Sequence, residues 1–243
     1  NMVGSNVTSD TEAIINLGDE IFITKSASTL NSLDAKTWKT VDTGTGEDFS
    51  IAKSPSTYVA VGSYGMRYST DNKLTWLSST TLTTTNLAIT WTGTSFIATG
   101  ATSIRRSVGG TTWTTISTGG LGIKSIASNQ STVVIVGTNI RYSLDDGLTW
   151  NTPVTPIYSG GLLKVHYIEN MFIATGSNNI LTSVDGITWT LVYTFLTGTY
   201  NDIIKTTGGV FVAVGYSAKI STSPDLINWS NATYIPIVST GSA

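Results

Sequence analysis

The sequence predicts an all-β fold, a six-bladed β-propeller with four antiparallel strands per blade, in one domain spanning residues 1–243. Three observations carry this expectation. Six of the seven tryptophans, Trp38, Trp76, Trp113, Trp150, Trp189 and Trp229, recur at successive spacings of 38, 37, 37, 39 and 40 residues. Each ends a short turn motif rich in Ser, Asp and Thr. Each motif is preceded by a continuous apolar run of strand length. A period near 40 residues with four strand-like segments suits a propeller blade better than an open β-solenoid, and a ring of blades leaves only short protected edges.

The first element of each repeat is an inner strand marked by one apolar position: Ile14, Ile51, Ile89, Ile126, Val165 and Ile204. One position held apolar while its neighbours vary is expected of a strand lining a central channel. The second element is the apolar run, Ile21–Thr24, Tyr58–Val61, Phe96–Thr99, Val133–Val136, Phe172–Thr175 and Phe211–Val214, followed by Gly in five of the six repeats. Such runs are too short for helices and read as strands covered on both faces. Ala at their third position lets neighbouring sheets approach closely. A third strand leads into the turn motif, and an outer strand leaves from the Trp.

The motif itself reads Ser32-Leu-Asp34-Ala-Lys-Thr37-Trp38, Ser69-Thr-Asp71-Asn-Lys-Leu-Thr75-Trp76, Ser143-Leu-Asp145-Asp-Gly147-Leu-Thr149-Trp150 and Ser183-Val-Asp185-Gly186-Ile-Thr188-Trp189. Two copies are degenerate: the repeat starting at Ser107 lacks the Asp, and Ser223-Pro-Asp225-Leu-Ile-Asn228-Trp229 lacks the Thr. Asp and Ser oxygens accept hydrogen bonds from N–H groups just ahead in a tight turn, Gly tolerates positive φ, and Trp supplies an apolar lid. The motif is a hairpin staple, and at least five of the six repeat tryptophans are expected to be largely buried. Ring closure requires the two ends to meet, and both Asn1–Asp10 and Tyr234–Thr240 are able to form strands.

This pattern resembles the Asp-box, or BNR, repeat, Ser-x-Asp-x-Gly-x-Thr-Trp, which residues 143–150 match at every fixed position. The resemblance implies a propeller and brings a sialidase-like glycoside hydrolase into consideration. Family sialidases use three arginines, a Tyr–Glu pair and an Asp. Here the four arginines are Arg67, Arg105, Arg106 and Arg141, of which three sit two residues before the motif Ser in consecutive repeats, where other repeats carry Leu30, Leu181 and Ser221. That reads as a packing position with the Arg stems laid along neighbours. None of Glu12, Glu20, Glu47 and Glu169 lies in a nucleophile-like sequence. The expectation is a protein that is not an enzyme, without sialidase activity.

Composition narrows the partners. A formal charge of −2 offers no electrostatic footprint for nucleic acid or an anionic membrane. No apolar run approaches the roughly 20 residues that span a bilayer, so no membrane insertion is expected. Asn1–Asp10 shows no leader pattern, and an Asn ahead of Met2 fits a chain that was processed, trimmed or cut from a longer polypeptide. With no Cys and a single histidine, His166, no metal site or cofactor is expected. His166 reads as a satisfied channel-wall histidine, and Trp91, outside the period, as packing.

Because the motif turns join the third and outer strands on one face, the ligand is expected on the opposite face, near the channel. The loops there supply Tyr64, Asn86, Tyr158, Asn178, Tyr200, Asp202 and Tyr216 as candidate ligand-binding residues. Tyr and Asn with Gly and Ser make nearly uncharged, adaptable contact surfaces of the sort used for sugars and protein epitopes. The expected function is a non-catalytic binding or structural propeller for cell-surface carbohydrate or a protein partner, able to assemble within a larger complex. The composition resembles bacteriophage tail and receptor-binding proteins, which implies a virion or extracellular setting. An intracellular assembly-factor scaffold, of the kind that helps build photosystem II, is the other alternative.

Overall fold

A computed structural model of the chain describes residues 11–17, 20–25, 28–41, 48–63, 65–79, 87–117, 122–158, 160–195, 199–216 and 219–231. The first sheet holds β1 (Thr11–Asn16), β2 (Ile21–Lys25), β3 (Ser28–Ser32) and β4 (Lys39–Val41). The second holds β5 (Asp48–Lys53), β6 (Tyr58–Gly62), β7 (Gly65–Ser69) and β8 (Leu77–Ser78), and the third β9 (Ala88–Trp91), β10 (Phe96–Thr99), β11 (Ser103–Ser107) and β12 (Thr114–Ser117). A fourth contains β13 (Ser125–Ser128), β14 (Val133–Val136) and β15 (Arg141–Ser143). The fifth comprises β16 (Leu162–Ile168), β17 (Met171–Gly176), β18 (Asn179–Ser183) and β19 (Thr190–Thr194), and the last β20 (Tyr200–Lys205), β21 (Phe211–Gly215), β22 (Lys219–Ser223) and β23 (Ser230–Asn231). Each sheet is an antiparallel meander in chain order.

The fold is an all-β propeller of four-stranded antiparallel blades, but the expectation of six such blades needs correction. Five blades are complete, and the sheet of β13–β15 has three strands. The cause is written in Asn151-Thr-Pro-Val-Thr-Pro156. After Trp150 the chain makes one antiparallel bridge, Tyr142 to Asn151, and then meets Pro153, which has no N–H for the ladder. Val154 instead pairs in parallel with Thr188 on the next sheet: its N–H donates to the Ile187 carbonyl at 2.8 Å, and its own carbonyl accepts from the Trp189 N–H at 2.9 Å. The outer strand is diverted across the sheet boundary.

The second strands are covered on both faces because a sheet lies on either side. Five apolar clusters fill the five boundaries between consecutive sheets, typified by Phe22 with Tyr58, Val59 with Phe96, Ile97 with Ile135, Val134 with Phe172, and Ile173 with Phe211. Ala60, Ala98, Ala174 and Ala213 are wholly buried there. On the inner strands Ile51, Ile89, Ile126 and Val165 are buried between sheets as well as bordering the channel. In the last sheet this place belongs to Ile203, not Ile204. The turn from Lys205 to Phe211 holds one residue more than the turn from Lys53 to Tyr58, which shifts the register. The proposed closing segments 1–10 and 234–240 lie outside the described residues.

The repeat turn works as a local hydrogen-bond device. Ser183 Oγ donates to Asp185 Oδ1 at 2.9 Å and accepts from the Gly186 N–H at 2.8 Å, while Asp185 Oδ1 accepts from the Ile187 and Thr188 N–H groups at 2.8 Å. Asp34, exposed, and Asp71, half-buried, are held down to about 2, chiefly by hydrogen bonds from Thr37 and Thr75 respectively. The degenerate copy keeps the Ser function alone, Ser107 Oγ accepting from the Gly110 N–H at 2.7 Å. The turns with glycine also seat on the preceding sheet, Gly110 on Val59 and Gly186 on Val134: Gly147, at φ +81°, lies so close that a Cβ there would be 2.5 Å from Ile97 Cδ1. Ser183→Ala, which strands a buried N–H, is expected to cost about 1–2 kcal/mol in a urea melt; an unchanged midpoint would show the turn to be held by packing alone.

The repeat tryptophans are covered to different degrees. Only Trp189 is buried, at 4% exposure, and the other five repeat tryptophans are partly exposed. Each stands just before an outer strand, and Trp76, Trp113, Trp150 and Trp229 pack half-buried against the inter-sheet clusters, whereas Trp189 lies within one. The indole N–H is anchored to the turn in four copies, donating to the carbonyls of Gly110, Gly147, Gly186 and Leu226 at 3.1, 3.1, 3.0 and 2.8 Å.

Candidate binding site

The inner strands of the sheets converge on a central cavity of about 480 Å³. Its wall is built in register. Ser50, Ala88, Ser125, Lys164 and Asp202 pair with Val61, Thr99, Val136, Thr175 and Val214, the equivalent residues of five second strands, so they occupy one level of the channel. Small side chains at this level keep the cavity open on one side. On the other side, strands β16 and β20 contribute all the Lys, His and Asp side chains that line it among the described residues: Lys164, His166, Asp202 and Lys205.

These polar groups also stitch neighbouring sheets together. Ser50 Oγ accepts from the Ile89 N–H at 3.4 Å, and Ser125 Oγ accepts from the Val165 N–H at 3.2 Å. His166 Nε2 and Asp202 Oδ1 make the corresponding contact between the last two sheets at 2.6 Å, and Asp202 Oδ1 further accepts from its neighbour, the Ile203 N–H, at 2.8 Å. Burial pushes the Asp202 carboxyl up, but the His166 bond, with the charge of Lys164, outweighs it and holds the group below its ordinary range. His166 therefore stands on the channel wall with its ring nitrogen engaged, as its sequence context implies. Lys164 was legible only as an inner-strand residue; its place on the charged wall follows from aligning the repeats strand by strand.

The seven candidate residues are distributed unevenly. Asp202 is in the channel. Tyr216 is on the face opposite the repeat turns, 64% exposed, its N–H donating to the Thr199 carbonyl at 3.2 Å. Asn178, in the same ring of loops, is half-buried in a left-handed turn at φ 74°, and its carbonyl accepts from the Phe195 N–H at 2.6 Å. Tyr158 is half-buried against the cluster between the fourth and fifth sheets, where burial pushes its hydroxyl up and the Arg141 charge counters the shift. Tyr200 is not a loop residue but a core one: it is 2% exposed, stacks on Phe195 at 3.8 Å, and its hydroxyl shares a 2.7 Å hydrogen bond with Ser221. Tyr64 and Asn86 lie outside the described residues.

The arginine position follows the packing pattern. Arg105 is 5% exposed, and burial lowers its pKa. It alternates along β11 with Ile104, whose side chain joins the cluster with the fourth sheet, so the Arg105 stem faces the second. At the equivalent position of the fifth sheet Leu181 packs against the fourth. Trp91 is half-buried and packs on Phe96 with ring centroids 4.7 Å apart. No group of three or more metal-ligating side chains occurs among the described residues.

No protein-family model matches the chain, and no curated protein matches it. Solved structures do. The structure of YCF48 bound to D1 peptide is 16% identical, with a TM-score of 0.68 over 91% of this chain and 81% of that one. The β-propeller domain of Cps50 (Swd1) from Myceliophthora thermophila is 9% identical, with a TM-score of 0.67 over 88% of this chain and 83% of that one. The Pan2 WD40 domain of Neurospora crassa is 11% identical, with a TM-score of 0.65 over 93% of this chain and 76% of that one. At these identities the likeness carries the fold, and this chain is similar to them as a β-propeller.

Proposed function

We propose that this chain is a non-catalytic recognition propeller of the Asp-box kind that holds a segment of a protein partner on the face opposite the repeat turns. The observation that carries this reading is the channel, an open cavity of about 480 Å³ where Lys164, His166, Asp202 and Lys205 of β16 and β20 face a wall of uncharged side chains, apolar ones such as Phe49 and Ile89 among small polar ones such as Ser50 and Ser125. A concave site with few convergent polar groups is where a ligand is oriented. Asn178 and Tyr216 lie in loops between second and third strands, on the side of the sheets where Asp202 enters its inner strand. Tyrosine supplies broad contact at small entropic cost, and the neutral loop composition favours a peptide or polyol over a strongly anionic ligand.

Support for a protein partner over a carbohydrate comes from the propeller with 16% identity, whose structure holds a bound peptide. The repeat turns are poor competitors, since their Ser and Asp oxygens are consumed by their own N–H groups. Peptides selected from a displayed library against the full chain are expected to lose at least about tenfold in affinity with Tyr216→Ala or Lys164→Ala, and to keep it with Asp34→Asn on the opposite face. A glycan array run in parallel distinguishes carbohydrate. Ligands that respond to Asp34→Asn and ignore Tyr216→Ala and Lys164→Ala would place the site on the wrong face.

A further inference from the structure

Four half-buried cations of this chain are matched to carboxylates. Lys53 and Lys73 share Glu20, Arg106 is paired with Asp146, and Lys205 with Glu169. Lys164 breaks the pattern. It is half-buried on β16 and lines the channel, yet it makes no hydrogen bond and no ion pair among the described residues. Asp202, at the same level of the neighbouring inner strand, does not supply one. Its Oδ1 is in contact with His166 Nε2 and the Ile203 N–H, and the Lys164 charge reaches it only through space. Ser125, level with Lys164 on the other side, spends its Oγ on the Val165 backbone, accepting from the N–H at 3.2 Å and donating to the carbonyl at 3.5 Å. An ammonium carries three donors, and a charge that has lost part of its hydration is costly unless it is paired. The channel therefore presents a cation whose donors are unspent.

We propose that Lys164 sets the specificity of this site by taking one carboxylate, carried by an acidic side chain or by the C-terminus of the bound segment, inside the channel. The inference rests on the reading that the channel mouth holds a segment of a protein partner. Three observations select this chemistry. Lys164 offers donors only, so its counterpart is an acceptor, and a charge-assisted bond to a carboxylate is roughly twice as strong as a neutral one. Asp202 is the one carboxylate that lines the cavity among the described residues, and its Oδ1 is already engaged by His166 and the Ile203 N–H. A cation entering the channel would meet Lys164 beside a carboxylate already in use. The number is also fixed: Lys205, the other lysine on this wall, is held by Glu169, which leaves one cation for one carboxylate. The uncharged wall opposite, with Ser50 and Ile89, suits the rest of the residue that enters.

The probes are peptides recovered by display on the full chain and weakened by Tyr216→Ala. Each is synthesised with a free and with an amidated C-terminus, and with every Asp or Glu changed in turn to Asn or Gln. Affinities are read by fluorescence anisotropy on the parent protein, Lys164→Met and Lys164→Arg. On the parent, removing one carboxylate is expected to cost at least about tenfold. Loss on amidation identifies a C-terminus, and loss in one Asn or Gln form identifies a side chain. On Lys164→Met the same removal is expected to change affinity by less than about twofold, and Lys164→Arg keeps the preference. Because Lys164 makes no bond in the free chain, Lys164→Met is expected to keep the parent's urea midpoint, which separates lost recognition from lost folding. Peptides that tolerate the loss of every carboxylate, or that lose as much on Lys164→Met as on the parent, would overturn the inference and leave recognition at the channel mouth standing. Peptides that depend on a basic residue instead would also overturn it, by assigning the channel to a cation. A display that yields no binder sensitive to Tyr216→Ala would overturn the reading on which it rests.

Discussion

Replacing Gly176 with alanine is expected to destabilise the protein by about 3 kcal/mol, lowering its melting temperature by roughly 6–12 °C. A Cβ on Gly176 would stand 2.2 Å from the Gly161 carbonyl oxygen and 2.6 Å from Leu162 Cα. Both are backbone atoms of the segment that enters β16, and the Ser177 N–H is bonded to that same Gly161 carbonyl at 3.0 Å. Gly176 does not have positive φ, so the demand is for space and not for a left-handed conformation. The same clash recurs at Gly137 against the Gly122 carbonyl and at Gly215 against that of Thr199, each at 2.2 Å. Gly after the second strand therefore lets the chain pass beneath it toward the inner strand, and the channel wall depends on that passage. A Gly176→Ala variant within about 0.5 kcal/mol of the parent in a urea melt would show that the crossing relaxes freely.

Removing the Glu20 carboxylate has the second large effect. Glu20 is buried between the first two sheets, where it accepts from Tyr58 Oη at 2.6 Å, Lys73 Nζ at 2.5 Å, Lys53 Nζ at 3.2 Å and Asn31 Nδ2 at 3.3 Å. Desolvation pushes its carboxyl up, but the bonds from Lys73, Tyr58 and Lys53 together hold it down to about 2. Lys73 comes from the repeat turn of the second sheet, so the network ties that turn to its neighbour. Glu20→Ala leaves the Lys73 ammonium, 11% exposed, without its counter-ion, and breaking a buried pair in this way costs about 3–5 kcal/mol. The sign with pH follows from a folded-state pKa lowered below its ordinary value: the stabilisation is complete above about pH 4.5 and is lost as pH falls through about 2. Urea midpoints measured from pH 6 to pH 2 are expected to fall more steeply for the parent than for Glu20→Gln. Parallel curves would show the network to be electrostatically idle.

How far the sequence foretells the structure depends on the range of the interactions involved. The repeat turn is legible because its bonds run from Ser143 or Asp145 to groups at most four residues ahead, a local chemistry that repeats with the sequence. The second strands are legible because burial on both faces demands an unbroken apolar run. Errors entered where one residue changes register or direction. A bulge between Tyr200 and Asp202 turns the tyrosine into the core while leaving the aspartate in the channel, and one extra residue before Phe211 moves the buried position from Ile204 to Ile203. The missing outer strand of the fourth sheet was available in Pro153 and Pro156, whose lost donors outweigh the repeat pattern. The His166–Asp202 pair joins residues 36 apart on adjacent inner strands, a contact that only the side-by-side packing of two sheets creates. Rim exposure of the tryptophans follows from their place at the start of an outer strand, a consequence of blade geometry and not of the motif.

The central claim is that a ligand occupies the channel mouth on the face away from the repeat turns. Hydrogen–deuterium exchange on the full chain, with and without a selected peptide, tests it most directly. The account predicts slowed exchange at the amides of Asn178, Tyr216 and the segment from Lys164 to His166, with the turns at Asp34, Asp71, Asp145 and Asp225 unchanged. Protection confined to those turns, with Lys164, Asn178 and Tyr216 exchanging as in the free protein, would contradict it.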